Sequence, residues 1–265
     1  MKPLRILPLF LLLLLLPGCD EVDSDERFTG PLTVEAKKNV LLEDFTGQRC
    51  TNCPNATDVI TDMQATYGAD RLIAVSIHGG SLSLLGTESS SVGLATDQGN
   101  EYNTHWGLES WPKGMVDRTG GLLDYEAWNA AAFSRFSVEP KVDLETTALA
   151  FDADTRSLSL TVTVTANEDI TGNLQVWLTE SNITAVQYLP TGAVDTEYVH
   201  NHVFRASVND PYGDALTLSA GESLDNSYSY TFERTYWDED NMAAVIFFYN
   251  DDDGVMQVIE TSLVQ

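Results

Sequence analysis

Hydrophobic and polar positions divide the chain into two textures. Between residues 37 and 139, short apolar runs alternate with segments of helical period. Val40–Phe45 reads as a strand. Thr57, Ile60, Met63, Gln64 and Tyr67 then fall at helical spacing, with Gly68 as a stop. Leu72–Ile77 reads as a buried strand ending at His78-Gly79-Gly80. A Ser/Gly-rich stretch, 79–93, reads as a loop, and a weak helical pattern spans about Thr96 to Trp106. Trp111–Asp117 reads as a strand entered through proline. Asp124 suits the cap of a helix from Tyr125 to about Phe136. Strand, helix, strand in that order predicts a parallel βαβ unit.

Past Ser137-Val138-Glu139-Pro140 the period becomes two. Leu158, Leu160, Val162 and Val164 alternate with Ser and Thr over 157–165. Leu174, Val176 and Leu178 alternate, as do Tyr228, Tyr230 and Phe232. Met242–Tyr249 and Val255–Ile259 flank Asn250-Asp251-Asp252-Asp253-Gly254, a hairpin with a strong turn signal. Many short alternating strands predict a β-sandwich of immunoglobulin-like type.

The first 36 residues follow neither texture. Lys2 and Arg5 precede an apolar run, Ile6–Leu16, interrupted only by Pro8. That run is shorter than the roughly 20 residues of a membrane-spanning helix and fits a signal-peptide core. It ends at Leu16-Pro17-Gly18-Cys19, which resembles a bacterial lipobox, with removal of 1–18 and lipidation of Cys19 expected. Acyl chains there would anchor the protein to a membrane. Residues 19–36 are acidic and polar and read as a flexible tether.

Charge narrows the function. The chain carries 40 Asp and Glu against 14 Lys and Arg, a net charge of −26. That excludes nucleic acid as an expected partner, since its recognition needs a basic face. The surface reads as solvated and acidic.

The chemistry concentrates at Cys50-Thr51-Asn52-Cys53-Pro54, between the first strand and the first helix. Of three cysteines, Cys19 is assigned to lipid, which leaves Cys50 and Cys53 as the remaining pair. An address outside the cytoplasm lets disulfides persist. The helix N-terminus and Arg49 should both lower the Cys50 pKa. The pair reads as redox-competent, as a static bridge or as a metal ligand set. A four-residue loop yields about 2 kcal/mol in the chain-entropy model, which makes it a poor staple. His78, at a strand end, is a candidate neighbour of Cys50 or a structural hydrogen-bonding group. His200 and His202 share one face of an expected strand. They read as structural, with a metal pair as the alternative. Asp251–Asp253 read as a solvated turn, with calcium as the alternative. No metal or cofactor is expected.

Leu42-Glu43-Asp44-Phe45-Thr46-Gly47-Gln48-Arg49-Cys50-Thr51-Asn52-Cys53-Pro54 resembles the thioredoxin superfamily. Within it, Ser76-Ile77-His78-Gly79-Gly80, Trp111-Pro112-Lys113-Gly114 and Tyr198–Arg205 resemble the 28-kilodalton outer-membrane-protein family of Bacteroides-type bacteria. The resemblance implies an α/β thioredoxin-like domain over 37–139, followed by an all-β immunoglobulin-like sandwich over 140–265. It implies that Cys50 is the nucleophile, Cys53 the resolving cysteine, Asp44 the buried proton acceptor and Pro112 a facing cis-proline. Arg49, Thr51-Asn52 and Trp111 depart from the thioredoxin pattern, and Trp111 would narrow a substrate groove. The implied protein is an outer-membrane lipoprotein on the periplasmic or cell-surface face. It either exchanges thiols and disulfides with exported proteins or binds a surface ligand as an adhesion or receptor protein.

Overall fold

The computed structural model describes residues 37–86, 93–232 and 234–264. They fall in a compact unit, Val34–Gln265. The expected signal peptide, tether and Cys19 lie outside the described residues.

The first half contributes β1 (Val40–Thr46), α1 (Cys53–Tyr67), β2 (Leu72–His78), α2 (Asp97–His105), β3 (Lys113–Val116), β4 (Thr119–Leu123) and α3 (Tyr125–Phe136). The second half contributes β5 (Val142–Asp152), β6 (Ser157–Ala166), β7 (Ile170–Glu180), β8 (Ile183–Tyr188), β9 (Val194–His200), β10 (Val203–Ser207), β11 (Asp214–Leu218), β12 (Ser223–Thr231), β13 (Met242–Asn250) and β14 (Gly254–Ser262). As expected, β1 and β2 pair in parallel, from Val40 opposite Leu72 to Thr46 opposite His78.

The expected fold class is corrected. There is no separate α/β thioredoxin-like domain followed by an immunoglobulin-like sandwich. The described chain is mostly β, with fourteen strands to three α-helices. The first-half strands form one end of a nine-stranded mixed sheet ordered β14-β13-β7-β10-β2-β1-β3-β4, with β11 beside β7. The join is between β2 and β10, where Val203 lies opposite Ser76. The Ser76 amide donates to the His202 carbonyl at 2.8 Å. Local alternation cannot reveal that pairing, because the two strands lie more than a hundred residues apart.

Each element buries the face its pattern dictates. On one side of β1 and β2, Val40, Leu42, Leu72 and Ala74 pack with Ala56, Ile60 and Met63 of α1 and with Trp128, Ala132 and Phe136 of α3. On the other side, Leu41, Phe45, Ile73, Val75 and Ile77 pack with Tyr102, Trp177, Phe204 and Phe247. With both faces covered, all seven residues of β1 are buried, Glu43 and Asp44 included. In β6 the alternating Leu158, Leu160, Val162 and Val164 face Val176, Ile246 and Phe248 across a third core. That core lies beneath the three-stranded sheet β12-β6-β5. No helix among the described residues is long and apolar enough to cross a membrane.

The chain 194–207 is a second correction. His200 and His202 do not share a strand: β9 ends at His200 and His202 adopts φ 56° before β10 begins. Its amide donates to Ser181 Oγ at 3.0 Å, which holds the turn.

Candidate functional site

The site grows from the carboxyl end of β1. After Thr46 the chain turns at Gly47, and the Cys50 amide donates to the Gly47 carbonyl at 3.0 Å. A side chain at Gly47 would meet the Leu82 carbonyl at 2.7 Å, so the close approach of this loop requires glycine. Cys50 and Cys53 form a disulfide with their Cα atoms 5.4 Å apart. Cys53 is the first residue of α1. Pro54 follows in the first turn, where its missing N–H costs no helical hydrogen bond. The positive end of that helix favours a thiolate.

Both cysteines are 2% exposed. Part of their cover comes from the β8–β9 hairpin, a two-stranded sheet of its own. Gln187 Nε2 donates to the Cys50 carbonyl at 2.9 Å. The Tyr188 amide donates to the Gln48 carbonyl at 2.8 Å. Gln48 Nε2 donates back to the Val186 carbonyl at 3.1 Å.

Beneath the bridge, a cavity of about 230 Å³ is lined by Asp44, Cys53, Ser76, His78, Tyr198 and His200, among others. Asp44 lies opposite Ser76 in the β1–β2 register and accepts a weak hydrogen bond from Ser76 Oγ at 3.4 Å. Its Oδ1 has no partner among the described residues. Burial raises its pKa to about 7, with the Ser76 bond opposing. His78 Nδ1 and His200 Nε2 are also buried without partners among the described residues. Their rings meet edge to face at 5.4 Å. Burial holds His78 well below the ordinary histidine range, helped by the charges of His200 and Arg205. Burial lowers His200 to about 4, against hydrogen bonds with the backbone of Val186 and Ala185. His202, which also lines the cavity, is lowered by burial. All three histidines are therefore mainly neutral near pH 7.

Of the residues singled out in the sequence, the cavity brings Asp44, Cys53, His78, His200 and His202 together. It leaves out Cys50, Arg49, Trp111 and Pro112. The Arg49 side chain is exposed. Pro112 is buried after a cis peptide bond with Trp111. It precedes Lys113, which lies opposite Phe45, so it sits at the same end of β1 as the cysteine loop. Trp111 donates from Nε1 to Asn103 Oδ1 at 2.8 Å. Its ring lies against Gly80, where a side chain would sit 2.2 Å from ring carbon and φ is 70°. Gln187, Tyr198 and His200 come from the second half. The pair His200 and His202 was conspicuous in the sequence, and Tyr198 opened a segment that carried the family resemblance without a role of its own; nothing local to Gln187 marks it.

Among the described residues no group of three or more His, Cys, Asp or Glu is placed to hold a metal ion. In the Asp251–Asp253 turn, Asp253 Oδ1 pairs with Lys141 Nζ at 3.0 Å and Asn250 Oδ1 accepts from the Asp252 and Asp253 amides.

The chain is similar in fold to HBP35 of Porphyromonas gingivalis. The TM-score is 0.68 at 17% identity, over 86% of this chain and 76% of that one. The likeness spans both halves, in line with the continuous sheet. Sporulation control protein Spo0M of Bacillus subtilis is a far weaker match, with TM-score 0.29 at 13% identity over 47% of this chain and 48% of that one. A β-glucosidase from Kluyveromyces marxianus gives TM-score 0.28 at 11% identity over 48% of this chain and 15% of that one. No curated protein sequence matches. The family profile described as outer membrane protein Omp28 matches residues 99–265, a span that holds Pro112 and His200 and begins beyond Cys53. With well over half its length in that match, the chain belongs to the Omp28 family and is an outer membrane protein.

Proposed function

We propose that the protein exchanges thiols and disulfides with exported proteins at Cys50–Cys53, held at the outer membrane by lipid on Cys19. The observation that carries the reading is Asp44: a buried carboxyl, pKa about 7, lining the same cavity as Cys53. A group poised near the working pH is suited to proton transfer. In the reduced protein, the Cys50 thiolate attacks a substrate disulfide and forms a mixed disulfide, releasing one substrate thiolate. Cys53 gives its proton to the Asp44 carboxylate and attacks Cys50 Sγ. The bridge re-forms and the second substrate thiol leaves. Pro112 closes the same end of the sheet, and Arg49 adds positive charge beside Cys50.

Insulin-reduction turnover tests this. Cys50→Ser should abolish it, and Asp44→Asn should slow it about 100-fold, as for loss of a proton-transfer group. Turnover unchanged in Cys50→Ser would sink the reading. The anchor is tested separately: Cys19→Ala should move the protein from the membrane to the soluble fraction.

A second reading is a surface protein that binds a ligand without catalysis. The burial of Cys50 beneath the hairpin favours it, as do the exposed Tyr188, Val194 and Val199 on that hairpin. A bridge that resists reductant until the protein unfolds would support this reading over the first.

A further inference from the structure

The cavity meets the disulfide from one side only. Cys53 lines it and Cys50 does not. Gln187, which also lines the cavity, holds the Cys50 carbonyl. A nucleophile arriving through the cavity therefore meets Cys53 before Cys50, and attack on Cys53 makes Cys50 the leaving group. The walls select what can arrive. Asp44 Oδ1, His78 Nδ1 and His200 Nε2 all lack partners among the described residues. Ionised Asp44 accepts there, and so does His200 Nε2, because the His200 ring already hydrogen-bonds the backbone of Val186 and Ala185. Among the described residues no Lys or Arg lines the cavity. Arg205, whose charge reaches both histidines, is paired with Glu180 at 2.7 Å. A buried acceptor without a donor is costly, so the walls favour a donor-rich cationic group. The volume, about 230 Å³, falls below the roughly 300–1,000 Å³ of drug-sized sites. It suits a molecule of amino-acid size and excludes a protein loop.

We propose that this cavity admits a small amine-bearing thiol, which reduces the bridge by attack on Cys53. The idea rests on the exchange reading and supplies its other half-reaction: protein substrates meet Cys50, and the small thiol recharges the site through Cys53. The aminothiol sulfur bonds to Cys53 Sγ as the Cys53–Cys50 bond breaks, and Cys50 leaves as thiolate. A second aminothiol attacks the first one's sulfur and leaves with it as a small disulfide, freeing Cys53. Two thiols are oxidised to one disulfide, and their two protons end on Cys50 and Cys53, the latter by way of Asp44.

The test uses single-cysteine variants of the full chain and two disulfides of equal size: cystamine, which carries amines, and bis(2-hydroxyethyl) disulfide, which carries hydroxyls. Mixed-disulfide formation is followed by mass, with rates normalised to free cysteine. Cys53, in Cys50→Ser, should prefer cystamine at least about ten-fold, within the range of electrostatic selection. Cys50, in Cys53→Ser, should show no such preference. In the otherwise wild-type chain, Thr61→Arg at the exposed mouth of the cavity should slow reduction by cysteamine about ten-fold through repulsion and bulk. Absence of an amine preference at Cys53, or an unchanged rate in Thr61→Arg, overturns the proposal. If Cys50 exchanges and Cys53 does not, this route falls while the exchange reading stands. If neither cysteine reacts in the folded protein, both fall.

Discussion

Glu43 and Asp44 are neighbours on β1, both carboxylic acids and both fully buried, yet they face opposite sides of the sheet and have opposite fates. Glu43 meets Arg118 through paired contacts, Nη2 to Oε1 at 2.9 Å and Nε to Oε2 at 3.0 Å. The guanidinium in turn stacks on Tyr249, 4.2 Å from the ring centre, and on Phe247 at 4.9 Å. Among the described residues Asp44 has only Ser76 at 3.4 Å and an oxygen with no partner. The contrast separates structure from chemistry. A buried carboxylate with a bidentate cation has its charge matched and holds two elements together. A buried carboxyl without a cation is left to titrate near neutrality, where proton transfer is useful.

The largest effect expected comes from breaking the paired side. Arg118→Ala leaves Glu43 buried and alone, which should cost about 3–5 kcal/mol in urea unfolding. A loss below about 1 kcal/mol would mean the pair behaves like an exposed one.

The unpaired side should answer to pH instead. Asp44 has a folded pKa of about 7, above its ordinary 3.8, so the folded state binds the proton more tightly. Its stabilising contribution is full below about pH 4 and is lost as pH rises through 7. Asp44→Asn cannot ionise. Wild-type stability relative to this variant should therefore decline between pH 4 and 7; parallel curves would contradict the assignment.

His200 runs the other way. Its folded pKa of about 4 lies below the ordinary 6.5, so stability is intact above 6.5 and is lost as pH falls through 4. His200→Gln should move the acid-unfolding midpoint to lower pH. The shift should be smaller than the Asp44 effect, because His200 is less deeply buried. The smallest change expected is in Gln187→Ala. Loss of the bond to the Cys50 carbonyl should cost about 1 kcal/mol and speed reduction of the bridge. A rate equal to wild type would mean that the hairpin does not limit access.

Local order was readable where it is written in local spacing. The strand–helix–strand run through β1, α1 and β2, the alternation of β6 and the helix from Tyr125 to Phe136 all follow from residue period. The Cys50–Cys53 pair is legible as a short motif, while the buried Asp44 came from the resemblance carried by Leu42–Pro54 and not from residue period. What escaped is long-range. The Val203–Ser76 pairing that fuses both halves into one sheet leaves no trace in either segment. The walls that Tyr198 and His200 contribute to the cavity reach it from about 150 residues beyond Asp44. The turn at His202 hides in a stretch that reads as one strand, because a histidine at φ 56° carries no glycine to announce it.

The most direct test is reduction of the native protein by dithiothreitol, with tryptophan fluorescence read alongside thiol release. The exchange reading requires the Cys50–Cys53 bridge to open while fluorescence stays native, faster in wild type than in Asp44→Asn. Thiols released only as fluorescence collapses, at the rate of global unfolding, would contradict it and leave the bridge a structural clasp.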